Sequence, residues 1–151
     1  MEKGNLLLID DEVLLLEKTA MLLEDIADDV YTSDNGPGGL ELLKSKDVHC
    51  IICDINMPNM NGVEVLEKVR ETHPDIPFIF YTGHGSRELM KKAIRFGAFD
   101  FIDKPCLDGL EDIAIRGLMQ GLGKNPMDQV TDDADSSSFE SEYHKLIKQK
   151  D

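Results

Sequence analysis

Four groups of polar residues stand just beyond short apolar bursts. Asp10 and Asp11 follow residues 6–9, Asp54 follows 48–53, Thr82 follows 77–81, and Lys104 comes shortly after 99–102. If one rim collected them, it would hold three carboxylates, a hydroxyl and an ammonium. Carboxylates so placed repel by about 4 kcal/mol for a pair 4 Å apart at an effective dielectric near 20. Positive charge is therefore required. Lys104 supplies one unit and a divalent cation would supply two, and all-oxygen ligands on a water-accessible rim favour Mg²⁺ over zinc. This is equipment for phosphoryl transfer: metal and lysine neutralise the phosphoryl oxygens, Thr82 donates a hydrogen bond, and Asp54 attacks.

Such a rim needs a fold that brings it together. Apolar bursts of four to six residues alternate with longer amphipathic segments, the pattern of successive βα units around a parallel sheet. Strands are expected at residues 6–9, 29–32, 48–53, 77–81 and 99–102. Helices are expected at about 12–25, 37–45, 62–71, 86–96 and 107–118, with Val13, Leu16, Ala20 and Leu23 as the inward face of the first. The burst 48–53 is apolar on both faces, as a central parallel strand should be. In an open parallel sheet the strand C-termini share one edge, and ligands bind there where strand order reverses. A charge at Asp54 is then the mark of a working edge.

Composition narrows the function. The chain has 151 residues, 41% of them apolar, enough for one domain and a short extension. Thirty acids against sixteen bases give a net charge of -14, which argues against direct nucleic-acid binding. The excess runs through the folded part, with 23 acids and 12 bases in residues 1–120. No signal-peptide pattern or membrane-length apolar run is present, so a cytoplasmic protein without a membrane partner is expected. Three cysteines read as free buried thiols in a reducing compartment. Cys50 and Cys53 form a CxxC, but residues three apart on a strand face opposite ways, so packing outweighs a redox or zinc role.

A domain over residues 1–121 is expected, followed by an acidic and polar extension, 122–151. Within the extension a short helix at 138–149 is signalled by Ser137 with Glu140 as a capping box and by Phe139, Tyr143, Leu146 and Ile147 on one face. So short a helix either frays or docks on something.

Over residues 3–120 the chain resembles the receiver domain of two-component response regulators. The resemblance rests on Leu8-Ile-Asp-Asp-Glu12, Asp54-Ile-Asn-Met-Pro58, Asn59-Met-Asn-Gly62, Thr82-Gly, Gly97-Ala and Lys104-Pro105, in order. Each motif alone is weak; together in register they are specific. The resemblance implies a flavodoxin-like α/β fold, a five-stranded parallel sheet of order 2-1-3-4-5 with helices on both faces. It implies that Asp54 accepts a phosphoryl group from a histidine kinase or phosphotransfer protein, with Thr82 and Lys104 assisting. Asp10, Asp11, Asp54 and the backbone carbonyl of Asn56 would hold Mg²⁺. Phe101 and Thr82 would move together on phosphorylation, reshaping the surface of the fourth helix, fifth strand and fifth helix for a downstream protein. Asn56 and His84 would tune phosphoryl lifetime, and Lys104-Pro105 looks like the family's cis peptide. Asn59 and Asn61 stand where Gly and Asp are commoner, and Phe101 lacks the hydroxyl of a frequent tyrosine.

Two other readings use the same residues. An aspartate-nucleophile phosphohydrolase would want a second Asp two residues after the nucleophile, where Asn56 stands. A phosphate-independent binding module of the same fold would lack an acid or the lysine, and neither is missing. Arg87, Lys91 and Arg95 make a basic stripe on the fourth helix. It is either a solvated face or a two-fold contact with Glu111 and Asp112 of a second copy.

Overall fold

The computed structural model describes residues 2–83 and 86–124. Strands β1 (Asn5–Ile9), β2 (Asp29–Ser33), β3 (Cys50–Cys53), β4 (Phe78–Thr82) and β5 (Asp100–Asp103) alternate with helices α1 (Val13–Leu23), α2 (Gly36–Ser45), α3 (Gly62–Thr72), α4 (Arg87–Arg95) and α5 (Leu107–Gly121). All pairings are parallel, in the order β2-β1-β3-β4-β5. This is the expected flavodoxin-like topology.

Strand periodicity divides the core in two. Leu7, Ile9, Ile51, Cys53, Phe78 and Phe80 point to the face covered by α2, α3 and α4, where Leu43, Leu66, Val69 and Ala93 are buried. Leu6, Leu8, Cys50, Ile52, Ile79 and Tyr81 point to the other, against Leu16 and Leu23 of α1 and Leu110, Ala114 and Leu118 of α5. Cys50 and Cys53 thus lie on opposite faces, each in its own core. The expectation that every thiol is buried fails at Cys106, which is exposed just before α5.

The helix starts have local causes. Asn35 accepts from the Gly38 amide at 2.7 Å to begin α2, with Pro37 in its first turn. Asn61 and Glu64 form a reciprocal capping box at α3, and Ser86 caps α4 through the Leu89 amide. Gly97, with φ +77°, ends α4 in the left-handed region. The first helix departs from expectation. It stops at Leu23 and tightens into a 3₁₀ turn, Glu24–Ile26. Val13 is 46% exposed, whereas Thr19 is buried with its hydroxyl donating to the Leu15 carbonyl at 2.8 Å.

Candidate functional site

Asp10 and Asp54 leave the ends of adjacent strands. The Asp54 amide donates to the Ile9 carbonyl at 3.0 Å, extending the β1–β3 ladder by one bond. That bond sets Asp54 beside Asp10 at the C-terminal edge. Asp10 Oδ1 accepts from the Glu12 amide at 3.0 Å, and Asp54 Oδ1 accepts from the Ile55 amide at 2.7 Å. Each carboxylate thereby uses one oxygen on its own loop and turns the other inward.

Lys104 fills the space between them. Its amide is fixed to the Thr82 carbonyl at 3.0 Å, and its peptide bond to Pro105 is cis, as expected. The ammonium lies 2.7 Å from Asp10 Oδ2, 3.0 Å from Asp54 Oδ2 and 3.1 Å from Glu12 Oε1. Three acceptors match its three N–H donors. The side chains of Lys104, Asp54 and Asp10 are 8%, 6% and 9% exposed. Burial alone would lower the lysine's pKa, but its hydrogen bonds to Asp10, Asp54 and Glu12 outweigh that and hold it above the ordinary value. Asp10 shifts upward as well. There burial is the largest influence and exceeds the opposing effect of Lys104. The 2.7 Å contact between Lys104 Nζ and Asp10 Oδ2 is the distance of a charge-assisted ion pair.

Gly62 lets this edge close. Its amide donates to the Ile55 carbonyl at 2.8 Å, and a Cβ there would run into the Asp54 carbonyl oxygen and come within 3.0 Å of the Ile55 Cα. The start of α3 can press on the Asp54 loop only with glycine at this position. Asn59 adopts φ +69°, a conformation asparagine tolerates better than most residues, which accounts for its standing in for a commoner glycine.

The sequence-derived residues therefore fall unevenly. Asp10, Asp54 and Lys104 meet directly. Thr82 is buried at the end of β4, one residue beyond the position level with Asp54, given the pairing of Cys53 with Phe80. Asn56 lies exposed in the loop after Ile55, and Phe101 is half-buried on β5, stacked on Phe80 with ring centroids 5.4 Å apart. His84 and the segment 138–149 lie outside the described residues. Asp11 is exposed, and among the described residues the carboxylate set with ligand oxygens within 4.8 Å of one another is Asp10, Glu12 and Asp54. Glu12 was missed. The signal for it was present as the third acid of the run 10–12, together with an ammonium that needs three acceptors.

Three hard oxygen donors at this spacing fit a divalent cation of the Mg²⁺ class, which takes few carboxylates and keeps several waters. The Cys53 thiol next door is no competing ligand. Burial, then Asp54 and Asp10, push it well above its ordinary pKa. On α4, Arg87, Lys91 and Arg95 are exposed, while Lys92 pairs with Glu67 of α3 at 2.8 Å. Among the described residues no helix is long and apolar enough to cross a membrane.

Comparison with known proteins agrees with this geometry. Residues 6–114 match the profile of the response regulator receiver domain. The transcriptional regulatory protein FixJ of Bradyrhizobium diazoefficiens is 30% identical over 106 residues, covering 70% of this chain and 52% of FixJ. The regulatory protein LuxO of Vibrio vulnificus is 31% identical over 113 residues, covering 75% of this chain and 24% of LuxO. Among solved structures, a CheY-like receiver domain protein from Methanospirillum hungatei superposes with a TM-score of 0.75 at 26% identity, over 80% of this chain and 97% of that one. The chemotaxis protein CheY4 of Vibrio cholerae gives 0.70 at 26%, over 76% and 98%. The chain spans about half the length of FixJ and a quarter of that of LuxO.

Proposed function

The chain belongs to the response regulator receiver family and is a phosphorylation-activated signalling switch; from that premise we propose that Asp54 is its phosphoacceptor, with Thr82 and Lys104 as the assisting groups. The observation that carries the assignment is the Lys104 ammonium, 3.0 Å from Asp54 Oδ2 and 2.7 Å from Asp10 Oδ2. A carboxylate oxygen of Asp54 forms the new O–P bond while the donor's bond to phosphorus breaks and the electron pair leaves with the donor. For a phosphohistidine that bond is N–P, and the departing imidazole takes up a proton. Lys104 moves its charge onto the phosphoryl oxygens, and the Thr82 hydroxyl donates to one of them.

Asp10, Asp11, Asp54 and the Asn56 carbonyl would hold Mg²⁺, which would neutralise charge that one lysine cannot. Glu12, already in the carboxylate set, is the nearest addition to those ligands. The product carries about 1.5 to 2 added negative charges at a rim that already holds three acids. Phe101, three residues before Lys104, is the proposed switch residue, and the surface of α4, β5 and α5 the proposed output. The partners follow: a histidine kinase or phosphotransfer protein as donor, a downstream protein as target, and a second copy through α4, β5 and α5. The setting is cytoplasmic, without direct nucleic-acid contact. The receiver unit is assigned to residues 1–121 and the extension to 122–151. The test is incubation with acetyl phosphate and Mg²⁺, read as a phosphoprotein mobility shift. The parent should shift and Asp54→Asn should not; a variant that labels as well as the parent removes Asp54 from the role.

A further inference from the structure

Among the described residues, four of the seven large apolar side chains that are markedly exposed belong to α1: Val13, Leu14, Met21 and Leu22, with Met21 70% exposed. A fifth, Ile115, lies on α5, which packs on the same sheet face. Between the 3₁₀ turn that follows α1 and helix α5 runs a groove of about 170 Å³, lined by Glu2, Lys3, Ile26, Ile115, Met119 and Leu122 among others. Ile26 closes the 3₁₀ turn that follows α1 directly, so the end of α1 that carries Met21 and Leu22 leads to the groove. An isolated exposed leucine needs no explanation, but several apolar side chains on neighbouring helices beside a largely apolar groove do.

Three observations say what covers it. The groove is also lined by Lys124, the last described residue, so the chain that follows starts at its rim. That chain contains Phe139, Tyr143, Leu146 and Ile147 at helical spacing, an apolar stripe that needs a surface to bury against. Charge agrees over half of the segment. Residues 11–28, which include α1 and the turn, hold six acids and one base, and of the four charged residues of 139–148 the two lysines, Lys145 and Lys148, fall in the C-terminal half while Glu140 and Glu142 fall in the other.

We propose that the segment 139–148 of this same chain docks on the groove between the 3₁₀ turn and α5 and on the adjoining Met21 and Leu22 of α1. The reach is ample. Fourteen residues separate Lys124 from Phe139, a span of up to about 50 Å when extended and roughly 20 Å as a flexible coil, whereas α1 is only about 16 Å long. A tether of this length keeps the segment at millimolar effective concentration, so a weak contact suffices. Docking buries the apolar stripe of 139–148 against α1 and α5, the two helices that share one face of the sheet. It does not depend on phosphorylation and stands or falls apart from the assignment of Asp54.

The test uses the full chain. In amide NMR spectra, Leu146→Asp with Ile147→Asp should shift the resonances of Met21, Leu22, Ile26, Ile115, Met119 and Leu122. The reciprocal pair Met21→Asp and Ile115→Asp, both at exposed positions, should move residues 139–148 to random-coil shifts. Light scattering should give a monomer, and the parent spectrum should not change on dilution. Random-coil shifts for 139–148 in the parent, or changes confined to 139–151 in the first variant, would overturn the proposal. So would a dimer whose groove shifts vanish on dilution, because the occupant would then be a second copy.

Discussion

Asp54→Asn should make the protein more stable in metal-free buffer while abolishing phosphorylation. The sign follows from the distances. At an effective dielectric near 20, Lys104 at 3.0 Å attracts the Asp54 carboxylate by about 5 to 6 kcal/mol. Asp10, with its ligand oxygen within 4.8 Å, repels it by about 3.5 kcal/mol or more. Glu12 lies within the same distance but is 60% exposed, and screening cuts its repulsion to about 1.5 to 2 kcal/mol. Attraction and repulsion nearly cancel. What remains is the cost of holding a carboxylate at 6% exposure, several kcal/mol per buried ion. Asparagine keeps an oxygen for the Ile55 amide, and Lys104 keeps Asp10 and Glu12. Burying the asparagine amide, whose N–H₂ faces the Lys104 donors, returns part of that desolvation cost, so a gain of about 1 to 2 kcal/mol is expected, or about 4 to 8 °C in Tm for some 120 ordered residues. Urea titration with EDTA at low salt measures it, with equal m values as the check on two-state behaviour. If the variant is less stable than the parent, the ion pair outweighs desolvation and the reasoning fails. The counterpart, Lys104→Met, leaves the acids without a cation and should cost about 3 to 5 kcal/mol, part of which Mg²⁺ should restore by mass action.

Two further outcomes probe the same edge. Because burial raises the Asp10 pKa above 3.8, the folded state holds that proton longer than the unfolded chain, so this group's contribution falls as pH rises from about 3.8 through the folded value and is level above it. Subtracting the Asp10→Asn stability curve from the parent's should show that fall, and a difference that rises over the same range would refute the sign. Gly62→Ala places a methyl against the Asp54 carbonyl and should destabilise by about 1 to 3 kcal/mol and slow labelling by acetyl phosphate. Unchanged rate and stability would show that the α3 start does not brace the acceptor loop.

What could be read from residues alone was whatever periodicity and strand ends determine. Four of the five strands were short, mostly apolar bursts followed by a breaker, while β2, half polar, takes an edge of the sheet, and parallel order then put Asp10, Asp54, Thr82 and Lys104 at one end of the strands. The first helix resisted. Val13–Leu23 is apolar nearly all round, so no stripe selects the inward face, and packing on Leu6 and Leu8 buried Thr19 while leaving Val13 and Leu14 outside. Glu12 was hidden for another reason. A chain of letters does not say which of three consecutive acids turns back over its own helix start, and here the choice went to Glu12, which reaches Lys104, while Asp11 stays exposed.

The proposed switch follows from the lysine's double employment. With all three N–H donors given to Asp10, Asp54 and Glu12, Lys104 cannot serve a phosphoryl group without giving up at least one of them. Under the proposed function, a cation held by Asp10 and Asp54 would replace what the acids lose and so free the lysine for the phosphoryl group. Lys104 is tied through its amide to Thr82 on β4, and Phe101 on the same strand end is stacked on Phe80 of β4. A change in where the ammonium points is therefore a change at the junction of β4 and β5, the two strands that carry Thr82 and the Phe101 ring. A site built only to bind Mg²⁺ would have no use for a lysine at its centre; one that must differ between two charge states does.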